Sequence, residues 1–205
     1  MRTPFQLPRI YPLTDVQLSG LSHAEQVRLL SFGGALLIQL REKRMPALEF
    51  YEQARTAKQY GVQLIINDRV DIALATAADG VHLGQDDLSP EVARKLLGPQ
   101  AIIGYSTHNV DQAISATKLP IDYLAIGPIF NTTTKRDTAQ VLGLDGLRAV
   151  RDAVGRFPLV AIGGISLNNA RDVIDAGADS VAVISALLTA PDITAATQTL
   201  RNRLR

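Results

Sequence analysis

Short apolar runs alternate with longer stretches of helical period from one end of the chain to the other, the arrangement of parallel β/α units. The apolar runs predict strands over residues 10–14, 35–40, 62–67, 80–83, 101–105, 123–127, 158–162 and 180–184. Helical period predicts helices over 23–32, 46–60, 70–77, 90–97, 110–118, 144–154, 167–176 and 193–204. Local stop signals support these bounds. Pro46 lies near a helix start and Gly61 at its end, Ser89-Pro90 opens a helix that Gly98-Pro99 closes, and Gly33-Gly34 ends the first. Eight strands alternating with eight helices predict an α/β protein, a single closed (β/α)8 barrel over residues 1–205, with 1–9 as a short lead-in. An open doubly wound sheet is the alternative, but no G-x-G-x-x-G turn follows the first strand and no P-loop is present. One segment breaks the alternation: residues 128–143, PIFNTTTKRDTAQVLG, have neither period and form a long loop, expected to act as a lid.

Composition narrows the class. A net charge of +1 gives no electrostatic case for nucleic acid or an acidic membrane, so basic residues are expected to act locally, at a site. The absence of cysteine excludes disulfides and thiolate metal sites and fits a reducing compartment. No stretch reads as a secretory signal or is long and apolar enough to span a bilayer, so the expected location is the cytoplasm. With three histidines and no H-x-H or H-E-x-x-H, a zinc hydrolase is not indicated.

In a barrel every strand ends at the same mouth, so the chemistry lies in the residues just beyond each apolar run. The third and fourth strands run into Asn67-Asp68 and Asp86-Asp87. Two carboxylates meeting there suit a hard, oxygen-preferring cation such as Mg2+. Asp68 equally suits a cap on the next helix, with Asp71 as its acidic partner, and Asp86 and Asp87 suit an ordinary turn. After the second strand, Gln39, Arg41 and Lys43 alternate and so project together as an anion clamp, while Leu36, Ile38 and Leu40 pack against the helices. A solvated loop is the bland reading of the same charges. Ser106 can donate to a substrate oxygen, Thr107 or Asn109 caps the next helix, His108 is expected on the surface, and His82 inside a strand is expected in the core or behind the site. Thr132, Thr133, Thr134 and Lys135 group hydroxyls and an ammonium in the long loop. Gly163-Gly164, ahead of a helix from Ser166 or Leu167, fits the phosphate site after strands seven and eight, although a turn needing positive φ would also select the glycines. Taken together, Gly164 and Ser185 hold one phosphate. Arg41, Lys43, Lys135 and a metal on Asp68 and Asp87 hold a heavier charge, better matched by a diphosphate, which implies two small-molecule substrates.

The stretches QLREK (39–43), IIND (65–68), GVHLGQDD (80–87), GYSTH (104–108), GPIFNTTTK (127–135), AIGGI (161–165) and AVIS (182–185) together resemble thiamine phosphate synthase, in order and over nearly the whole chain. The resemblance implies condensation of an aminopyrimidine diphosphate with a thiazole phosphate by a dissociative, pyrimidine-cation substitution, giving thiamine phosphate and pyrophosphate. It implies that Gln39, Arg41, Lys43, Asn67, Ser106 and Lys135 contact the pyrimidine diphosphate, with Arg41, Lys43, Ser106 and Lys135 catalytic. It implies Mg2+ on Asp68 and Asp87, and Thr132, Thr134, Gly164, Ile184 and Ser185 around the thiazole phosphate. Asp86 stands where relatives often have Glu, so the metal is assigned to Asp87; Asn131 stands where they often have Pro. The related thiazole tautomerase typically has a His where this chain has Pro128, and a non-catalytic phosphate-ligand barrel is the rival from another class.

Overall fold

The computed structural model describes residues 5–132 and 140–205. Among them, eight parallel strands close into a barrel in chain order: β1 (Ile10–Thr14), β2 (Leu37–Leu40), β3 (Gln63–Asn67), β4 (Gly80–Leu83), β5 (Ile102–Thr107), β6 (Tyr123–Ile126), β7 (Leu159–Ile162) and β8 (Ser180–Val183). β8 pairs back onto β1, with Tyr11 opposite Ala182. The helices are α1 (Val16–Ser19), α2 (His23–Phe32), α3 (Ala47–Ala57), α4 (Val70–Ala75), α5 (Pro90–Leu97), α6 (Val110–Ala116), α7 (Gly143–Val154), α8 (Ala170–Asp175), α9 (Ser185–Leu188) and α10 (Ile193–Arg203). No helix among the described residues is long and apolar enough to cross a membrane.

The expected barrel is therefore present, with differences at element ends that have local causes. β5 runs two residues further than expected because Ser106 and Thr107 pair with Ala125 and Ile126 of β6. α8 starts at Ala170, later than the expected Ser166 or Leu167. Asn169 accounts for the delay: its Oδ1 accepts from the Ser166 amide at 2.7 Å and its Nδ2 donates to the Gly164 carbonyl at 3.1 Å. α1 and α9 lie outside the expected set, since four residues show no period. Asp15 makes α1 by accepting from the Gln17 and Leu18 amides, and Gly20 ends it at φ 70°.

Ile38, Leu40, Leu64, Ile66, Val81 and Leu83 lie fully buried, in one core with Val27, Leu30, Phe50 and Leu147 of the helices. Leu36 corrects the alternation argument: it is 66% exposed, because it precedes β2 and its residue only lends a carbonyl to the Gln63 amide.

The end of the barrel opposite the strand tips is held by a repeated clamp. Asp122, just before β6, accepts from the Ile103 amide at 2.8 Å and from Arg94 of α5 at 2.9 Å. Asp179, just before β8, accepts from the Leu159 amide at 2.9 Å and from Arg151 of α7 at 2.7 Å. In both cases Arg and Asp are 28 residues apart. Asp79 before β4 makes the same amide contact, to Leu64 at 2.9 Å. Each carboxylate thus fixes the start of a neighbouring strand, and a helix guanidinium screens two of them. Asp122→Ala should cost about 1–3 kcal/mol of stability, because the Ile103 amide loses its acceptor in a partly buried site and Arg94 loses its carboxylate, keeping its bonds to the Pro120, Gly98 and Ala101 carbonyls. Chemical denaturation measures that loss, and turnover by the folded variant should be unchanged.

Candidate active site

At the strand tips the chain makes one costly turn. Asp68 follows β3 with φ 61°, a conformation that few non-glycine residues adopt. Its amide donates to the His82 carbonyl at 2.8 Å, which ties the turn to β4. The carboxyl group so aimed pairs with the Lys43 ammonium and lies within hydrogen-bonding reach of the Asp87 carboxyl. Asp87 is itself fixed by the Gly84 amide, 2.7 Å from its Oδ2. Burial pushes the Asp68 acid up from its ordinary value; Lys43 opposes the shift and the facing Asp87 carboxyl adds to it. The helix-cap alternative fails. The N-cap of α4 is Arg69, without a side-chain cap bond, and Asp71 pairs with Arg69 instead. Asp86, by contrast, is exposed.

Beside this pair stands the 39–43 stretch. Arg41 is half-buried and its Nη1 is 3.2 Å from Asp15 Oδ2. The loop that carries Lys43 is folded around Glu42, whose Oε1 accepts from the amides of Lys43 (2.7 Å), Arg44 (2.7 Å) and Met45 (3.2 Å). Its Oε2 meets His23 Nε2 at 3.1 Å, and His23 Nδ1 meets Thr14 Oγ1 at 2.6 Å. Burial works to raise the Glu42 acid, but the three amides and His23 outweigh it and hold it below its ordinary value. Burial pushes His23 down. Sequence reasoning missed Asp15, His23 and Glu42; the available signal was an acid lodged between two cations, Arg41 and Lys43.

Among the described residues, two cavities are lined by the strand tips and the loops that follow them. One is a narrow cleft of about 20 Å³ down the barrel, lined by Gln39, Arg41, Asn67, His82 and Ser106 among others. The second, of about 440 Å³, is lined by Thr132, Gly164, Ser166 and Ser185, with Asn131 and Thr189. Ile184 is buried at the start of α9, with Ser185 leading into the cavity. Gly163 and Gly164 have φ of 103° and 65°, so the turn explanation for them holds. A Cβ on Gly164 would also lie 2.5 Å from the Asn131 carbonyl oxygen. The glycines thus let the β7 tip pack on the 128–131 backbone, where the Ile129 and Phe130 amides donate to the Ile162 and Gly163 carbonyls. The expected lid, 128–143, is therefore pinned at its ends; its Thr134 and Lys135 lie outside the described residues. Asn109 caps α6, whereas Thr107 is buried and donates to the Ala125 carbonyl. His108 is half-buried rather than on the surface, its Nδ1 donating to the Gly127 carbonyl at 2.8 Å.

The family model described as thiamine monophosphate synthase matches residues 10–187. A thiamine-phosphate synthase of Chloroflexus aurantiacus is 49% identical over 198 residues, 94% of this chain and 91% of that protein. One from Clostridium novyi is 46% identical over 199 residues, 95% and 97% of the two chains. The solved thiamine phosphate pyrophosphorylase from Pyrococcus furiosus superposes with a TM-score of 0.86 at 42% identity, covering 96% of this chain and 95% of that one.

The facing carboxyls make a prediction about the metal-free protein. Because the folded Asp68 acid is raised above its unfolded value, its stability contribution is complete below the unfolded value and is lost as pH rises through the folded one. Asp68→Asn removes that penalty, and Asn tolerates positive φ. In chelator the variant should melt above wild type at pH 8, and the gap should close as pH falls through the folded value of Asp68, as thermal melts across pH would register.

Proposed function

This chain belongs to the thiamine monophosphate synthase family, and we propose on that footing that its barrel mouth joins an aminopyrimidine diphosphate to a thiazole phosphate, releasing thiamine phosphate and pyrophosphate. The pyrimidine substrate is 4-amino-2-methyl-5-hydroxymethylpyrimidine diphosphate and the acceptor 4-methyl-5-(2-phosphoethyl)thiazole.

Gln39, Asn67 and Ser106 offer amides and a hydroxyl along the narrow cleft and would hold the pyrimidine. Its diphosphate would extend to Arg41, Lys43 and, from the long loop, Lys135. The wider cavity suits the thiazole phosphate: Thr132 and Ser185 supply hydroxyls and Gly164 supplies backbone that approaches closely. Thr134 and Ile184 would join them on the strength of the family resemblance alone.

Asp68 and Asp87 would hold Mg2+. Two carboxyls pressed together, one of them held above its ordinary pKa, form a donor set that a divalent cation relieves. Among the described residues no group of three or more His, Cys, Asp or Glu side chains forms a metal site. That fits a cation held by one or two carboxylates and completed by water and substrate phosphates. When bound, the ion supplies charge neutralisation to the departing pyrophosphate.

The residues then divide a dissociative substitution. The bond from the pyrimidine methylene to the diphosphate oxygen breaks, and its electron pair leaves with pyrophosphate. The ring amino group stabilises the resulting cation, and the thiazole nitrogen lone pair closes the new C–N bond. Such a reaction asks the protein for positioned positive charge at the leaving group, which Arg41, Lys43 and Lys135 provide, more than for a covalent partner. The observation that carries the assignment is the Asp68–Asp87 apposition beside Lys43, at the rim of a cleft lined by Arg41.

Purified protein with both substrates and Mg2+ should form thiamine phosphate, and chelator should abolish turnover. Isomerisation of a carboxythiazole phosphate without coupling would indicate the tautomerase, and binding without turnover a sensor. Asp87→Ala should lose more than about a hundred-fold in kcat, while Asp86→Ala stays within about two-fold; the reverse order would overturn the metal assignment.

A further inference from the structure

Along the cleft, with Gln39, Tyr11, His82 and Ser106 in its lining and Tyr123 behind them, runs a chain of side-chain hydrogen bonds that crosses the barrel from one wall to the other. Gln39 Nε2 on β2 donates to Tyr11 OH at 3.0 Å. Tyr11 OH lies 2.8 Å from Tyr123 OH, and Tyr123 OH 3.0 Å from His82 Nδ1. The far ring nitrogen, His82 Nε2, lies 2.8 Å from Ser106 Oγ on β5. Both ends of the chain are residues assigned above to the pyrimidine diphosphate; the three between them have no part in that assignment.

The interior is built to hold this chain. Tyr123 meets Tyr11 edge-on with ring centroids 5.8 Å apart and stacks on His82 at 5.6 Å. Gly104 leaves the room: a Cβ there would lie 2.0 Å from the Tyr123 ring and 2.5 Å from His82 Nδ1. An ordinary side chain at that position would displace both. Gln39, Tyr11, Tyr123 and His82 are all buried, which is costly for so many polar groups unless each is satisfied.

Satisfying them gives the chain a direction. Burial pushes both phenols up, so each keeps a proton to donate. Tyr11 already accepts from Gln39. If it accepted from Tyr123 as well, its own proton would be left without an acceptor among the described residues. Tyr11 therefore donates to Tyr123, and Tyr123 donates to His82 Nδ1. That bond places the imidazole proton on Nε2, which donates to Ser106 Oγ. The Ser106 hydroxyl proton is then turned away from His82 and toward the cleft.

We propose that His82 and Tyr123 are positioning residues that act through Ser106, passing a fixed hydrogen-bond polarity from Gln39 across the barrel so that the Ser106 hydroxyl meets the pyrimidine substrate as a donor. The inference rests on the condensation reading above. It makes the two walls of the cleft one unit, since the donor character of Ser106 depends on the orientation of the Gln39 amide.

A double-mutant cycle on kcat/KM tests it. Tyr123→Phe removes one hydroxyl and keeps the ring; it should lower kcat/KM about ten-fold in the otherwise wild-type protein, and less than about two-fold on a Ser106→Ala background. His82→Gln retains a donor toward Ser106 and should stay within about three-fold of wild type, whereas His82→Leu should lose as much as Tyr123→Phe. Thermal melts of each variant separate loss of fold from loss of rate, and Tyr123→Phe and His82→Leu stand in for each other if either melts early. Equal losses on both backgrounds, no loss at all, or indistinguishable Gln and Leu variants would overturn the proposal. A wild-type protein without turnover would sink the condensation reading and this inference together; an active one with multiplicative losses would sink only the inference.

Discussion

Two carboxyl groups within hydrogen-bonding reach, partly withdrawn from water, set the terms for the rest of the barrel mouth. Left to themselves Asp68 and Asp87 repel, and the rise in the Asp68 acid records that repulsion on top of burial. One ammonium, Lys43, answers only part of it. The backbone adds its own cost, because Asp68 is held at φ 61° by its bond to the His82 carbonyl. Such an arrangement is maintained against local preference, and a divalent cation held there would turn the conflict into attraction.

The opposite end of the barrel shows what the same residue type does when its task is structural. Asp79, Asp122 and Asp179 each take a strand amide, and the last two also take a guanidinium from α5 and α7, one β/α unit earlier in the chain. Those carboxylates are satisfied by the protein alone. The division matches the general behaviour of β/α barrels, in which one rim supplies stability and the other chemistry. Between them the interior is partly polar, and the line from Gln39 through Tyr11, Tyr123 and His82 to Ser106 trades an apolar filling for a fixed orientation at the cleft.

Much of this could be read from the chain before any coordinates. The strands were visible because a parallel sheet buried on both faces is written in continuous apolar runs, and Asp68 and Asp87 stood out because each follows such a run. The hidden part depends on residues that meet only in space. Tyr11 and Tyr123 are 112 positions apart and look like ordinary core aromatics in sequence. Glu42 reads as one charge among several until its three amide contacts and His23 are seen. The alternation rule placed Ile38 and Leu40 correctly in the core and failed for Leu36, because strand parity has no force outside the strand. The four-residue helices α1 and α9 arise from local caps and the end of β8, features too short to leave a period.

On the proposed reading the Asp68–Asp87 pair is a site for a divalent cation shared with a diphosphate. Titration calorimetry of pyrophosphate into the protein, with and without Mg2+, addresses it most directly. Tight binding that requires Mg2+ and disappears in Asp87→Ala is the predicted result; pyrophosphate affinity that is the same without the metal, or unaffected by that substitution, would contradict it.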